Sequence, residues 1–181
     1  MMELKNNYFC IFLTLSVLSL AVYCQNTYAQ IASKNQIKGV FLYKITKFIR
    51  WENSANKAKL CFLEDKEDQA GEKISTTVSK LISKDSADFD VFEDVRLTDI
   101  KSCNMLFIGS RAEQNLQDIL AIVDGQPIVT ISDIDSFTRR GGMFGFTEEN
   151  NNVTVELNFS NTNRSHININ SALQEMIRVV K

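Results

Sequence analysis

Short apolar runs alternate along this chain with stretches whose apolar residues recur every three or four positions, and that alternation restricts the fold more than any other feature. The runs are "KLCFLE" (59–64), "DFDVFE" (88–93), "CNMLFIG" (103–109) and "PIVTIS" (127–132). Each has strand length, and 88–93 alternates as a half-exposed edge strand does. Helical spacing appears through Ile37, Val40, Phe41, Ile45, Phe48 and Ile49, ending near Trp51. It returns in Gly71–Ser83 through Ile74, Val78, Leu81 and Ile82, and again through Leu116, Ile119, Leu120 and Val123. Strands that alternate with helices predict βα units. The fold class is therefore α/β: a single domain with a mainly parallel twisted sheet covered by helices on both faces. Met143–Thr147 and Val153–Phe159, joined by "EENNN", predict a C-terminal antiparallel hairpin at one edge of the sheet. Ala172–Val180 predicts a closing helix.

Local punctuation supports these boundaries. Ser110-Arg111-Ala112-Glu113 has the S-x-x-E form of a capping box, and Asp124-Gly125 stops the helix that follows. Pro127 stands at the first residue of its strand, where a missing N–H is tolerated. Ser132 follows a strand and is placed to cap a further helix. Asp133 and Asp135 then fall in its first turn, Arg139 and Arg140 in its last, and Gly141 or Gly142 serves as its left-handed terminator.

The beginning of the chain reads as a secretory signal over residues 1–29. Lys5 lies in a short leading region, Cys10–Val22 is almost wholly apolar, and Thr27-Tyr28-Ala29 offers small residues at the cleavage positions. The apolar run is shorter than the roughly twenty residues of a membrane span, with a retained N-terminal anchor as the alternative reading. The mature chain is then residues 30–181, one domain of roughly 150 residues. Two cysteines remain in it, Cys61 and Cys103. In an exported protein an even count makes a disulfide the expectation, with two buried free thiols as the alternative. The strands at 59–64 and 103–109 are neighbours if 88–93 lies outside them, which brings the two cysteines within bonding range.

Charge and motif content exclude several classes. The formal net charge is −2, and Arg139-Arg140 reads as the only basic cluster. No field is expected that would favour nucleic acid or an anionic membrane. Neither G-x-G-x-x-G nor G-x-x-x-x-G-K-[ST] surrounds the glycine pair, and no G-x-S-x-G elbow presents a serine. His166 is the single histidine and reads as a surface or helix-entry residue. Asp133-x-Asp135 has no third carboxylate or histidine nearby in sequence, so no metal and no cofactor are expected. No pair of acids stands out as catalytic, and the chain reads as a non-enzyme.

Several stretches, in order, resemble the YfiR family. They are "IKGVFLYKITKFIRW" (37–51), "LCFL" (60–63), "CNMLFIG" (103–109), "PIVTISDIDSFTRRGGMFGF" (127–146) and "VELNFSNTNRSHININSAL" (155–173). The chain departs from the family pattern at Glu52, where proline is usual, and at Asn161, Asn163 and Asn170, where small residues are usual. It also lacks the second cysteine pair of some members. The resemblance implies a periplasmic protein of a Gram-negative cell that regulates a membrane-bound signalling protein, such as a diguanylate cyclase, by contacting its periplasmic sensor domain. A homodimer stays open. A small-ligand-binding sensor module is the alternative, because open α/β sheets offer a crevice at the strand C-termini. Here Glu64-Asp65, Gly109-Ser110 and Ser132-Asp133 would build it. The candidate partner or ligand contacts are Arg139, Arg140, Ser110, Arg111 and Asp133.

Overall fold

The computed structural model describes residues 34–50, 57–63, 69–85 and 89–180. The signal-like segment, Trp51, Glu52 and Glu64-Asp65 lie outside the described residues. Every strand below belongs to the compact unit Asn35–Lys181.

Helix α1 covers 34–48 and runs into strand β1 (Ile49–Arg50). There follow β2 (Ala58–Leu63), α2 (Gln69–Asp85), β3 (Phe89–Val95), β4 (Met105–Ile108), α3 (Leu116–Val123) and β5 (Val129–Ser132). The C-terminal part contains β6 (Phe144–Glu149), β7 (Asn152–Asn158), α4 (Phe159–Arg164), β8 (Asn168–Ile169), α5 (Ser171–Met176) and β9 (Arg178–Val180). Seven strands form one sheet in the order β3-β2-β4-β5-β6-β7-β9, while β1 and β8 pair antiparallel as a separate ribbon. The α/β class, the mainly parallel sheet and the outer position of 88–93 all match the alternation of the sequence.

Strand periodicity explains how both faces are covered, because successive side chains point to opposite sides. Leu60, Phe62, Met105, Phe107, Val129 and Ile131 point to one face, where Leu42 and Ile45 of α1 and Ile74, Val78 and Ile82 of α2 meet them. Cys61, Leu106 and Ile108 point to the other, against Leu116, Ile119 and Val123 of α3 and Ile134 and Phe137 of the following loop. The parallel register sets Leu60 beside Met105, Cys61 beside Leu106 and Phe62 beside Phe107. It also stacks the rings of Phe62 and Phe107 with centroids 5.1 Å apart.

Cys61 and Cys103 are disulfide-bonded with Cα atoms 6.0 Å apart. Cys103 sits just ahead of β4, after a 3-10 turn at Ile100–Ser102, and the bond ties that turn to the centre of β2. Both cysteines are buried, so the link is part of the core on that face.

The C-terminal third differs in detail from the sequence reading. The hairpin β6–β7 is antiparallel, as expected, and its turn residues Asn150 and Asn151 both have positive φ (48° and 66°). That is the backbone of a type I′ turn, whose twist matches a two-residue hairpin. The hairpin does not end the sheet, however: β9 adds in parallel outside β7, with Glu156 opposite Arg178 and Leu157 opposite Val179. The closing helix is correspondingly shorter than expected. It stops at Met176, and Arg178–Val180 is strand because the open edge of β7 supplies backbone partners that a helix would forgo.

Two local expectations are corrected. Ser110-Arg111-Ala112-Glu113 does not form a capping box. Ser110–Asn115 winds as a 3-10 turn with no side-chain cap, and the α-helix begins at Leu116. The Glu113 carboxylate that a box requires is taken by Arg140 instead. Residues 133–142 are also not a helix but a series of turns, with Ser136 at φ 54° and Gly141 at φ 108°. This segment is the whole crossover between parallel neighbours β5 and β6, and it is too short to hold a regular helix and return to the sheet.

Candidate functional site

The C-terminal ends of β4 and β5 lie side by side, with Ile108 opposite Ser132. Ser132 joins them. Its hydroxyl donates to the Ile108 carbonyl at 2.6 Å and accepts from the Ile134 N–H at 2.9 Å. The serine thus works as a turn cap, although no helix follows it.

Asp133 then points inward. Its Oδ2 lies 3.1 Å from the Lys38 ammonium of α1, with both side chains nine-tenths buried (10% and 7% exposed). Lys38 also approaches Glu148 at 3.8 Å. The Asp133 Oδ1 is buried with no hydrogen-bond partner. Among the sequence candidates, Asp133 is therefore part of an internal ion pair that fastens α1 to the end of the sheet, and it is not a surface contact. The reading from sequence missed Lys38, because a lysine among the apolar positions of an amphipathic helix carries no sign that it will be buried.

The other candidates converge on the surface. Ser110 and Arg111 are exposed in the 3-10 turn after β4, and Arg139 is exposed at the end of the crossover. Arg140, half-buried, reaches Glu113 of that same turn at 2.5 Å, and its carbonyl accepts from the Gln117 amide at 3.4 Å. One guanidinium thus links the β4–α3 connection to the β5–β6 crossover. Of the two arginines, Arg139 is the one left projecting.

The crossover that presents them is held from behind. Phe137 is buried on the α3 side, and Thr138 donates to the buried Glu156 at 3.0 Å. The Asn158 amide donates to the Thr138 carbonyl at 2.8 Å, and the Asn161 amide to the Gly141 carbonyl at 2.6 Å. Asn158 also caps α4, and Asn170 caps α5. Two of the asparagines that depart from the family pattern, Asn161 and Asn170, therefore have defined structural roles. Glu156 sits 3.5 Å from Arg178, whose guanidinium makes a two-pronged contact with Glu149 at 2.7 and 2.8 Å. Those hydrogen bonds hold the Glu149 carboxyl below the usual carboxylate range and fix β9 to the hairpin.

His166 lies just past the end of α4 at φ 57°, where its N–H bonds the Asn163 carbonyl. It is exposed, as the surface reading expected, and it marks a helix exit and not an entry. No set of three histidine, cysteine or acidic side chains placed to hold a metal occurs among the described residues.

A family model described as YfiR/HmsC-like matches residues 35–176, from the first helix through α5. The chain belongs to the YfiR/HmsC-like family. No curated protein matches it. In this YfiR/HmsC-like domain the motif "TRRGGMFGF" thus closes the crossover and enters β6, with Gly142 buried and Arg139 exposed. A cavity of about 260 Å³ lies elsewhere, against the outer strand β3 and beside the disulfide. Lys59, Cys61, Phe92, Asp94, Arg96 and Asp99 line it. It is not the crevice at the β4 and β5 ends that the α/β class led one to expect.

Proposed function

We propose that this chain is a non-enzymatic periplasmic regulator of cyclic-di-GMP signalling. It acts by contact with the periplasmic part of a membrane-bound signalling protein of the diguanylate cyclase type. The observation that carries this reading is the match to the YfiR/HmsC-like family across nearly all of the folded unit. The contact surface in this proposal is the one built by Ser110, Arg111, Arg139 and Arg140, in which polar and cationic groups stand on a crossover braced by hydrogen bonds from behind. Recognition gains from such a support, because little conformational freedom remains to be lost on binding. The test is the cellular cyclic-di-GMP level after deletion of the gene. The level rises without the protein and returns with the wild-type copy. An unchanged level after deletion contradicts the proposal.

The cavity beside β3 favours a second reading, a sensor module that takes a small ligand between Lys59, Phe92 and Arg96. Native mass spectrometry of the protein purified from its own cells distinguishes this reading by a bound small molecule.

A further inference from the structure

The net charge of −2 conceals a segregation. The whole chain has 20 basic and 22 acidic residues, yet residues 34–50 hold five of the basic ones (Lys34, Lys38, Lys44, Lys47, Arg50) and none of the acidic. That leaves 15 against 22 for everything else. The expectation that no field favours an anionic surface averaged these two parts together.

Helix α1 arranges this charge around an apolar strip. Its inner face, through Leu42, Ile45 and the ion-paired Lys38, is buried. At 3.6 residues per turn, Ile37, Val40 and Lys44 fall on the opposite side, while Phe41, four residues before Ile45, lies on the flank and packs against the core. Ile37 is 40% and Val40 37% exposed, large values for aliphatic side chains, and Phe41 is half-buried beside them. Lys44 is exposed. Lys47, on the flank, stays 43% exposed while it reaches Asp85 at 3.7 Å and the Tyr43 ring at 5.2 Å.

We infer that the outer face of α1 is a docking surface for an anionic lipid bilayer. An apolar strip edged by lysines on a helix that lies flat is the arrangement that settles in the headgroup region, with aliphatic tips inserted and ammonium groups among the phosphates. Charge complementarity decides the sign of the surface, and residue type decides its nature. Protein interfaces favour arginine and are depleted in lysine, whereas the cations that this helix exposes, Lys44 and Lys47, are both lysines. Among the described residues no helix is long and apolar enough to cross a membrane. The surface stands apart from the partner contact proposed above and does not depend on it.

The experiment is flotation of the exported protein with phosphatidylglycerol-containing vesicles and with pure phosphatidylcholine vesicles, at low and high salt. The protein floats with the anionic vesicles only, and less so as salt rises. Lys44→Gln/Lys47→Gln weakens the vesicle affinity by about 30-fold, at roughly the per-lysine contribution known for anionic surfaces. Lys57→Gln/Lys101→Gln removes equal charge at exposed positions elsewhere and leaves binding unchanged. Ile37→Ser/Val40→Ser weakens it independently of charge. Equal binding by the two lysine pairs, or no flotation of the wild type, overturns the inference. So does a Lys44→Gln/Lys47→Gln variant that floats normally but fails to capture a protein partner, because α1 then docks protein and not lipid. Circular dichroism of each variant confirms that it is folded, and the salt dependence of the wild type reads the same property without any substitution.

Discussion

A β-carbon at Gly142 would lie 2.0 Å from the Cε1 of Phe137, inside the ring's own volume. Phe137 is 1% exposed and cannot swing away, and the Gly142 N–H is bonded to the Phe137 carbonyl at 2.9 Å. The two residues close the crossover that carries Arg139 and Arg140. The adjacent glycine serves differently. Gly141 has φ 108°, a conformation that L side chains rarely adopt, with only Leu120 near its missing β-carbon.

Gly142→Ala is therefore expected to destabilise through overpacking by about 3 kcal/mol, and Gly142→Val by more. Gly141→Ala costs about 1–2 kcal/mol from backbone strain alone. Thermal melts of the three variants check this. Wild-type melting for Gly142→Val would show that the crossover is not packed as described.

Removing the positive pair should act in the opposite way. The Arg140–Glu113 bridge is partly solvated, with side chains 31% and 55% exposed, and surface pairs of that kind contribute about 0–1 kcal/mol. Arg139→Ala/Arg140→Ala is expected to melt within a few degrees of wild type while it loses regulation of cyclic-di-GMP. Unfolding of this variant would reverse the division of labour between glycines and arginines.

The Lys38–Asp133 pair makes a sharper stability prediction. Lys38→Met leaves a buried carboxylate with neither oxygen compensated, which costs about 3–5 kcal/mol. Lys38→Met/Asp133→Asn recovers much of that loss, because the uncompensated charge is gone. Chemical denaturation of the single and double variants measures the coupling, and additive losses would show that the pair does not interact.

The disulfide closes a separation of 42 residues between two buried positions. Ellman titration of the unreduced, denatured protein is expected to find no free thiol at Cys61 or Cys103. Cys61→Ser should still fold and melt earlier, with a loss of about 2–4 kcal/mol.

What could be read from the sequence follows the range of the interactions involved. The parallel sheet, its outer strand β3 and the hairpin follow from side-chain periods and turn residues that act within a few positions, as in Asn150-Asn151. The disulfide followed from a cysteine count and strand adjacency. Most of the misreadings depend on distant partners, while the helix expected over 133–142 fails because the crossover is too short to hold it. Arg140 takes Glu113 out of a capping box, the β7 edge converts Arg178–Val180 to strand, and Lys38 draws Asp133 inward. Of the candidate site, Ser110, Arg111, Arg139 and Arg140 lie on the surface and Asp133 does not. The lysine-edged strip on α1 was hidden for another reason: net charge sums over the chain and is blind to where charge sits.

Contact between the crossover surface and a membrane signalling protein is open to site-specific photo-crosslinking in intact cells. A photoreactive residue at position 139, exposed beside the Arg140–Glu113 link, is expected to form an adduct with the periplasmic part of an integral membrane protein. The same group at the exposed position 101, on the 3-10 turn beside the disulfide, is expected to form none. An absence of adduct at 139, or equal labelling from both positions, would contradict the account.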